Sequence, residues 1–255
     1  MSPRINYVIA GWSGKRVKED PALRPSLNLV PYKDTSLDYL HKQITCLERY
    51  KHNLSQVTLA MAYNSDNMDC QSHWSFMQEA ERLDGTLVQG AKIRTLWREA
   101  NDGQSYASWS QVVRIYKDSF DYYLFIEDDY VPVVDNFDRI MEEEYERKTC
   151  DYLCTYKNNN VFVSNGIIGP RGLRNHNWQI NYRSNDDWNH MQTFLYSMTT
   201  DMPDPPWQCA PYYGDHKKFS GIFFFGKGKY LFAPTQMVNS SGEVTDLPNE
   251  VYTLD

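Results

Sequence analysis

Four short apolar runs, at residues 5–10, 57–62, 91–97 and 122–126, alternate with stretches whose apolar residues recur at helical spacing. Strands separated by helices need crossover connections, so the pattern points to a largely parallel sheet with helices on its faces. The helical stretches fall at 36–52, where Leu37, Leu40, Ile44 and Leu47 share a face, and at 72–83, 105–119 and 136–147. In the last of these, Glu142, Glu143 and Glu144 are expected on a solvated face. After a further strand at 152–156 the pattern loosens. Residues 202–207 contain Pro203, Pro205 and Pro206 and are expected to be an extended loop, because proline disfavours helix interiors and central strands. Residues 222–225 and 230–232 read as a hairpin ahead of a polar tail. The expectation is one α/β domain over residues 1–255, for which a chain of 255 residues is long but sufficient.

The fourth apolar run delivers Glu127-Asp128-Asp129, three consecutive carboxylates at the end of a buried strand. Adjacent carboxylates repel one another and lose hydration there, so they persist where a hard cation or hydrogen-bond donors offset the cost. One or two carboxylates leave coordination positions open for water or phosphate oxygens, which suits Mg²⁺ or Mn²⁺ bound with a nucleoside diphosphate. The alternative is a solvated acidic turn that caps the next helix.

In open α/β sheets ligands bind beyond the carboxyl ends of the strands, so the segments that follow each strand matter most. The first strand leads into Gly11-Trp12-Ser13-Gly14-Lys15-Arg16, a small-residue turn followed by cations suited to phosphate, or an ordinary glycine turn. The second leads into Asn64-Ser65-Asp66-Asn67, able to hydrogen-bond a base or ribose, or to serve as a plain turn. The third leads through Arg98-Glu99-Ala100 into Asn101-Asp102-Gly103-Gln104-Ser105-Tyr106-Ala107. With the acidic triplet, four polar loops on one rim make a nucleotide cleft.

Taken together these residues resemble the nucleotide-sugar-dependent glycosyltransferases of the GT-A fold. Glu127-Asp128-Asp129 is similar to that family's Asp-x-Asp metal motif in a Glu-Asp-Asp form, and Asn101-x-Gly103-x-Ser105-x-Ala107 to its Asn-x-Gly-x-x-x-Ala signature. Asn64 and Asp66 stand where such enzymes contact the nucleobase. Ser108-Trp109 occupy positions at which members often carry Arg-Asn. The resemblance covers roughly residues 5–135. It implies a Rossmann-like nucleotide-binding sheet, with residues 1–135 holding the donor and 136–255 the acceptor. It also implies that Asp129 coordinates Mn²⁺ or Mg²⁺, while Glu127 and Asp128 contact ribose or metal-bound water. Lys15, Arg16 or Arg94 would assist at the UDP- or GDP-linked diphosphate, and His216, with Asp215 as fallback, is the candidate further ligand from the C-terminal part.

Inverting transfer needs a carboxylate base for the acceptor hydroxyl. Asp186 and Asp187, at the start of a helical pattern, are the candidates, with Asp204 a rival; acidic residues also favour a first helical turn with no chemistry attached. Trp178, Tyr182, Trp188, Trp207, Tyr212 and Tyr213 offer aromatic faces for an acceptor sugar or belong to the core. The segment 165–172, punctuated by Gly166, Gly169 and Gly172, either brings backbone close to the donor sugar or is a structural crossover.

A net charge of -7 and a pI near 5.4 argue against a nucleic-acid partner. No stretch approaches the ~20 apolar residues of a membrane span, and no apolar segment of signal-peptide length opens the chain, so a cytoplasmic protein is expected. The five cysteines, Cys46, Cys70, Cys150, Cys154 and Cys209, are expected to be reduced thiols. Two rival functions stand beside the transferase. A sugar nucleotidyltransferase would share the metal carboxylates, but residues 11–16 are a poor version of its glycine- and arginine-rich phosphate loop. A glycan-binding module of the same fold would have lost catalysis. A glycoside hydrolase is disfavoured, because adjacent carboxylates on one loop do not straddle a bond with the ~5–10 Å separation that chemistry uses.

Overall fold

A computed structural model describes residues 2–13, 35–63, 71–99, 104–147, 152–154, 165–175, 232–234, 236–238 and 244–246. The elements in chain order are β1 (Ile5–Trp12), α1 (Ser36–Arg49), β2 (Gln56–Ala62), α2 (Gln71–Leu83), β3 (Leu87–Val88), β4 (Ala91–Arg98) and α3 (Gln104–Tyr116), which ends in a 3₁₀ turn at Lys117–Ser119. They continue with β5 (Tyr122–Glu127), β6 (Tyr130–Pro132), α4 (Phe137–Arg147), β7 (Tyr152–Cys154), β8 (Gly166–Ile168), α5 (Pro170–Asn175), β9 (Phe232–Pro234), β10 (Gln236–Val238) and β11 (Val244–Asp246).

The fold class is α/β with a Rossmann-like sheet, as expected. Seven strands run in the order β3-β4-β2-β1-β5-β8-β7. β4, β2, β1 and β5 are mutually parallel, while β8 joins β5 and β7 antiparallel and β3 pairs antiparallel with the edge of β4. Side chains alternate between faces along each strand. Tyr7 and Ile9 of β1, Leu59 of β2 and Leu124 of β5 join α1, α2 and α4 in the larger core. The intervening residues face α3, whose Trp109 is fully buried and stacks on Phe125 at 5.2 Å.

α1 has a local reason to begin and a local reason to end. Thr35 caps α1: its hydroxyl accepts from the Asp38 N–H, and the Asp38 carboxylate accepts from the Thr35 N–H at 2.7 Å, which satisfies two otherwise orphaned donors. α1 ends at Arg49, three residues before the expected limit. The Gln89 side chain, from a residue with φ of 45°, donates to the Leu47, Glu48 and Tyr50 carbonyls there and closes the helix. In α4, Glu143 is exposed, whereas Glu142 and Glu144 are half-buried and Glu142 is pushed above its ordinary pKa mainly by burial, so the acidic face is only partly solvated. The expected strand at 152–156 is described over Tyr152–Cys154.

Three further features were not expected from the local pattern. Gly166–Ile168 is a strand of the sheet, antiparallel to both β5 and β7 and lying between them, where the sequence suggested a crossover or a donor-sugar loop. Phe232–Pro234 pairs with Tyr130–Pro132, and Phe232 is buried against Phe137 with ring centroids 5.5 Å apart. Gln236–Val238 and Val244–Asp246 form an antiparallel pair within what reads as a polar tail. The proposed 222–225 strand and the proline-rich 202–207 loop lie outside the described residues. Among the described residues no helix is long and apolar enough to cross a membrane.

Candidate functional site

The sheet order creates one place where successive crossovers diverge. From β1 the chain moves outward through β2 to β4, then returns to β5 on the other side of β1. Such a reversal leaves a crevice between the carboxyl ends of the two central strands, and this is where open α/β sheets bind ligands. Here that divergence falls between Gly11 and the Glu127-Asp128-Asp129 turn.

The two strand ends are held together by backbone. Ala10 is in register with Glu127, and the Asp128 N–H donates to the Ala10 carbonyl at 3.1 Å. Neighbouring strand ends align with them: the Ser13 N–H donates to the Ala62 carbonyl and the Tyr63 N–H to the Arg98 carbonyl. Asp128 is buried, and its Oδ2 lies 3.2 Å from where a Cβ on Gly11 would stand, beside the Met61 sulfur at 3.0 Å. Only glycine leaves that carboxylate its position unchanged. Glu127 is half-buried: its N–H donates to Asn165 Oδ1 at 2.6 Å, and its Oε1 accepts from the Ser105 hydroxyl at 3.0 Å in the first turn of α3. A carboxylate at a helix N-terminus is favoured by the helix dipole. Asp129 is half-exposed beside them.

Beneath the turn sits a fully buried amide. Gln43 of α1 donates from Nε2 to the Glu127 carbonyl at 3.3 Å, the Asp128 carbonyl at 3.2 Å and, most closely, the Tyr130 carbonyl. Its Oε1 accepts from the Tyr7 hydroxyl at 3.2 Å. Burial holds the Tyr7 phenol well above its ordinary pKa, so it stays a donor.

The other expected site residues fall as follows. Arg94 sits within β4 opposite Thr58, with Nη1 3.5 Å from Asp84 Oδ2, rather than at the strand's carboxyl end. The cation at that end is Arg98, whose Nη1 donates to the buried Ser108 hydroxyl at 3.4 Å. Ser105 and Ala107 of the signature are described, at the start of α3. Lys15, Arg16, Asn64, Asp66, Gly103, Asp186, Asp187, Asp204, Asp215 and His216 lie outside the described residues.

Gln43 escaped the sequence reading as a site residue, and Asn165 entered it only through the backbone of the 165–172 segment, not for its side chain. The signal for Gln43 was a polar residue on the stripe that carries Leu40 and Leu47, where a buried amide survives only if hydrogen-bonded. Asn165 stood directly before an apolar, glycine-punctuated run.

The donor chemistry fits a hard divalent cation. Among the described residues no three His, Cys, Asp or Glu side chains gather as a complete metal cage. The turn instead offers carboxylate oxygens from Asp128 and Asp129, the pattern of a cation that shares its coordination with substrate phosphates.

No protein-family profile matches the chain, and no curated protein matches it. Among solved structures it is similar to a cytidylyltransferase from Leptospira borgpetersenii serovar Hardjo-bovis, at 12% identity and a TM-score of 0.40, over 71% of this chain and 68% of that one. It is similar to S. aureus TarS at 8% identity and a TM-score of 0.43, over 76% of this chain but 33% of that one. It is also similar to mouse xyloside xylosyltransferase 1 in its apo form, at 6% identity and a TM-score of 0.43, over 94% of this chain and 99% of that one. Likenesses this distant transfer no activity, so the functional reading rests on the acidic turn and its place where β1 and β5 diverge.

Proposed function

We propose that the protein is a glycosyltransferase that moves a sugar from a UDP- or GDP-linked donor to a hydroxyl of a glycan or other acceptor, with Mn²⁺ or Mg²⁺ at the acidic turn. The observation that supports this most is the buried Asp128 carboxylate set against Gly11 at the divergence of β1 and β5. A cation bound there supplies charge neutralisation for the departing nucleoside diphosphate. Asp129 would hold it directly, and Asp128 would reach it through a metal-bound water. Glu127, steadied by Ser105 and Asn165, is placed to accept from a ribose hydroxyl, and Arg98 supplies positive charge at the end of β4.

In the chemical step, the acceptor oxygen attacks the anomeric carbon while the bond from that carbon to the diphosphate oxygen breaks. Asp187 or Asp186 takes the acceptor's proton, and attack in a single displacement on the face opposite the diphosphate gives inversion. Residues 1–135 hold the donor, residues 136–255 form the acceptor side, and His216 completes the cation's ligands. The return of Phe232–Pro234 alongside Tyr130–Pro132 supports that division, since it brings one described segment of residues 136–255 beside the strand that follows the acidic turn.

The test is turnover of a panel of UDP- and GDP-sugars, with Mn²⁺ or with a chelator, read as release of nucleoside diphosphate. One donor should be consumed only with metal, and Asp129→Ala should lower the rate by at least about two orders of magnitude. Consumption of a nucleoside triphosphate with a sugar 1-phosphate, and of no nucleotide-sugar, would assign the chain to the nucleotidyltransferases instead.

A further inference from the structure

We propose that Gln43 is the positioning residue of the acidic turn, its amide oriented by the Tyr7 hydroxyl so that it fixes the direction in which Asp128 presents its carboxylate to the cation. The inference rests on the transferase reading above. Gln43 reaches the turn from α1, more than eighty residues away in sequence, and donates to the carbonyls of Glu127, Asp128 and Tyr130. The first two carbonyls belong to the peptide planes on either side of the Asp128 Cα. Holding both planes fixes the Cα–Cβ direction of Asp128 from both sides, and the Asp128 N–H bond to the Ala10 carbonyl holds one of them again. The orientation of the amide is not arbitrary. Tyr7 donates to Oε1, so the donor end of Gln43 must face the turn; rotated by half a turn, the amide would set its oxygen against three carbonyl oxygens.

A glutamine serving only the core would change stability alone, whereas one that aims Asp128 changes cation affinity. The test compares wild type, Gln43→Met, which keeps the bulk and loses the amide, and Tyr7→Phe. Mn²⁺ is titrated in the presence of UDP or GDP, each nucleotide is titrated without metal, and each protein is melted. Gln43→Met should weaken Mn²⁺ affinity by roughly 10- to 100-fold and leave metal-free nucleotide affinity within about twofold, as for other residues that orient a metal ligand. Tyr7→Phe should move in the same direction by less. If Gln43→Met does not fold, Tyr7→Phe decides alone. Folded variants that bind Mn²⁺ as tightly as wild type, or that lose metal-free nucleotide binding to the same extent, overturn the inference. A wild type with no metal-dependent nucleotide binding overturns the transferase reading itself, and this inference with it.

Discussion

One added methyl should act in opposite ways at two glycines. At Gly169 a Cβ would stand 2.6 Å from the Tyr145 ring and 2.7 Å from the Tyr122 ring. Both rings are buried where β8 leaves the sheet, so neither can give way cheaply. Gly169→Ala should cost about 1–3 kcal/mol through overpacking and lower the Tm by several degrees, which thermal melts would show. An unchanged Tm would mean that the rings repack. At Gly11 the nearest atoms are the flexible end of Met61 and the Asp128 carboxylate, at 3.0 and 3.2 Å. Gly11→Ala should alter stability by less than about 1 kcal/mol, because Met61 can move. The displaced carboxylate should nonetheless weaken metal-dependent nucleotide binding; equal binding by a folded variant would remove Asp128 from the site. The sequence places Gly11 in a turn after the first strand, but β1 runs on through it to Trp12, with Gly11 paired to Met61; its role as the floor beneath Asp128 depends on the register of β1 with β5, which no local pattern shows.

At the scale of elements, the long periodic pieces were readable and the short ones were not. α1, α2 and α3 each begin within one residue of where apolar spacing places them, because each buries a continuous stripe. β6, β8 and β9 have three residues each, too few for alternation to register. The pairing of Tyr130–Pro132 with Phe232–Pro234 joins segments about a hundred residues apart, which no local pattern encodes. Ser108-Trp109 illustrates a departure with a structural reason: Trp109 fills the space between α3 and β5 against Phe125, and Ser108 receives Arg98. Trp109→Ala should cost about 3–5 kcal/mol in a denaturant titration; a loss below 1 would mean that α3 is not anchored there. Two buried histidines give the helical layer a pH dependence. Burial lowers the pKa of His52, against a smaller opposing pull from the Asp138 carboxylate, and lowers that of His73. The unfolded chain then binds protons more readily than the folded one. Their contribution is therefore present above the ordinary value of 6.5 and is lost as the pH falls below it. Carboxylates held low by arginine, such as Asp121 beside Arg4 and Glu79 beside Arg82, act only at more acidic pH. Melts between about pH 8 and pH 5 should show a Tm that falls below about 6.5, and His73→Phe, if folded, should flatten the fall; a flat wild-type profile would contradict this.

For the molecule as a whole, the α/β class and the parallel core were written in the alternation of apolar runs and helices, and the acidic turn in three consecutive carboxylates after one of them. What the sequence concealed is how that turn is held: an amide from α1, itself oriented by a hydroxyl from β1, an asparagine before β8 and a serine opening α3 meet there from separate segments. Tertiary convergence of that kind leaves only a faint trace in one chain, a polar residue on an otherwise apolar face. The central claim is that this turn binds a divalent cation together with a nucleoside diphosphate, and it is tested most directly by calorimetric titration of UDP and of GDP, with and without Mn²⁺, into wild type and Asp129→Ala. The expected result is that one nucleotide binds more tightly with Mn²⁺ than without it, and that Asp129→Ala abolishes this gain. Binding of neither nucleotide under any metal condition, or equal binding by the variant, would contradict it.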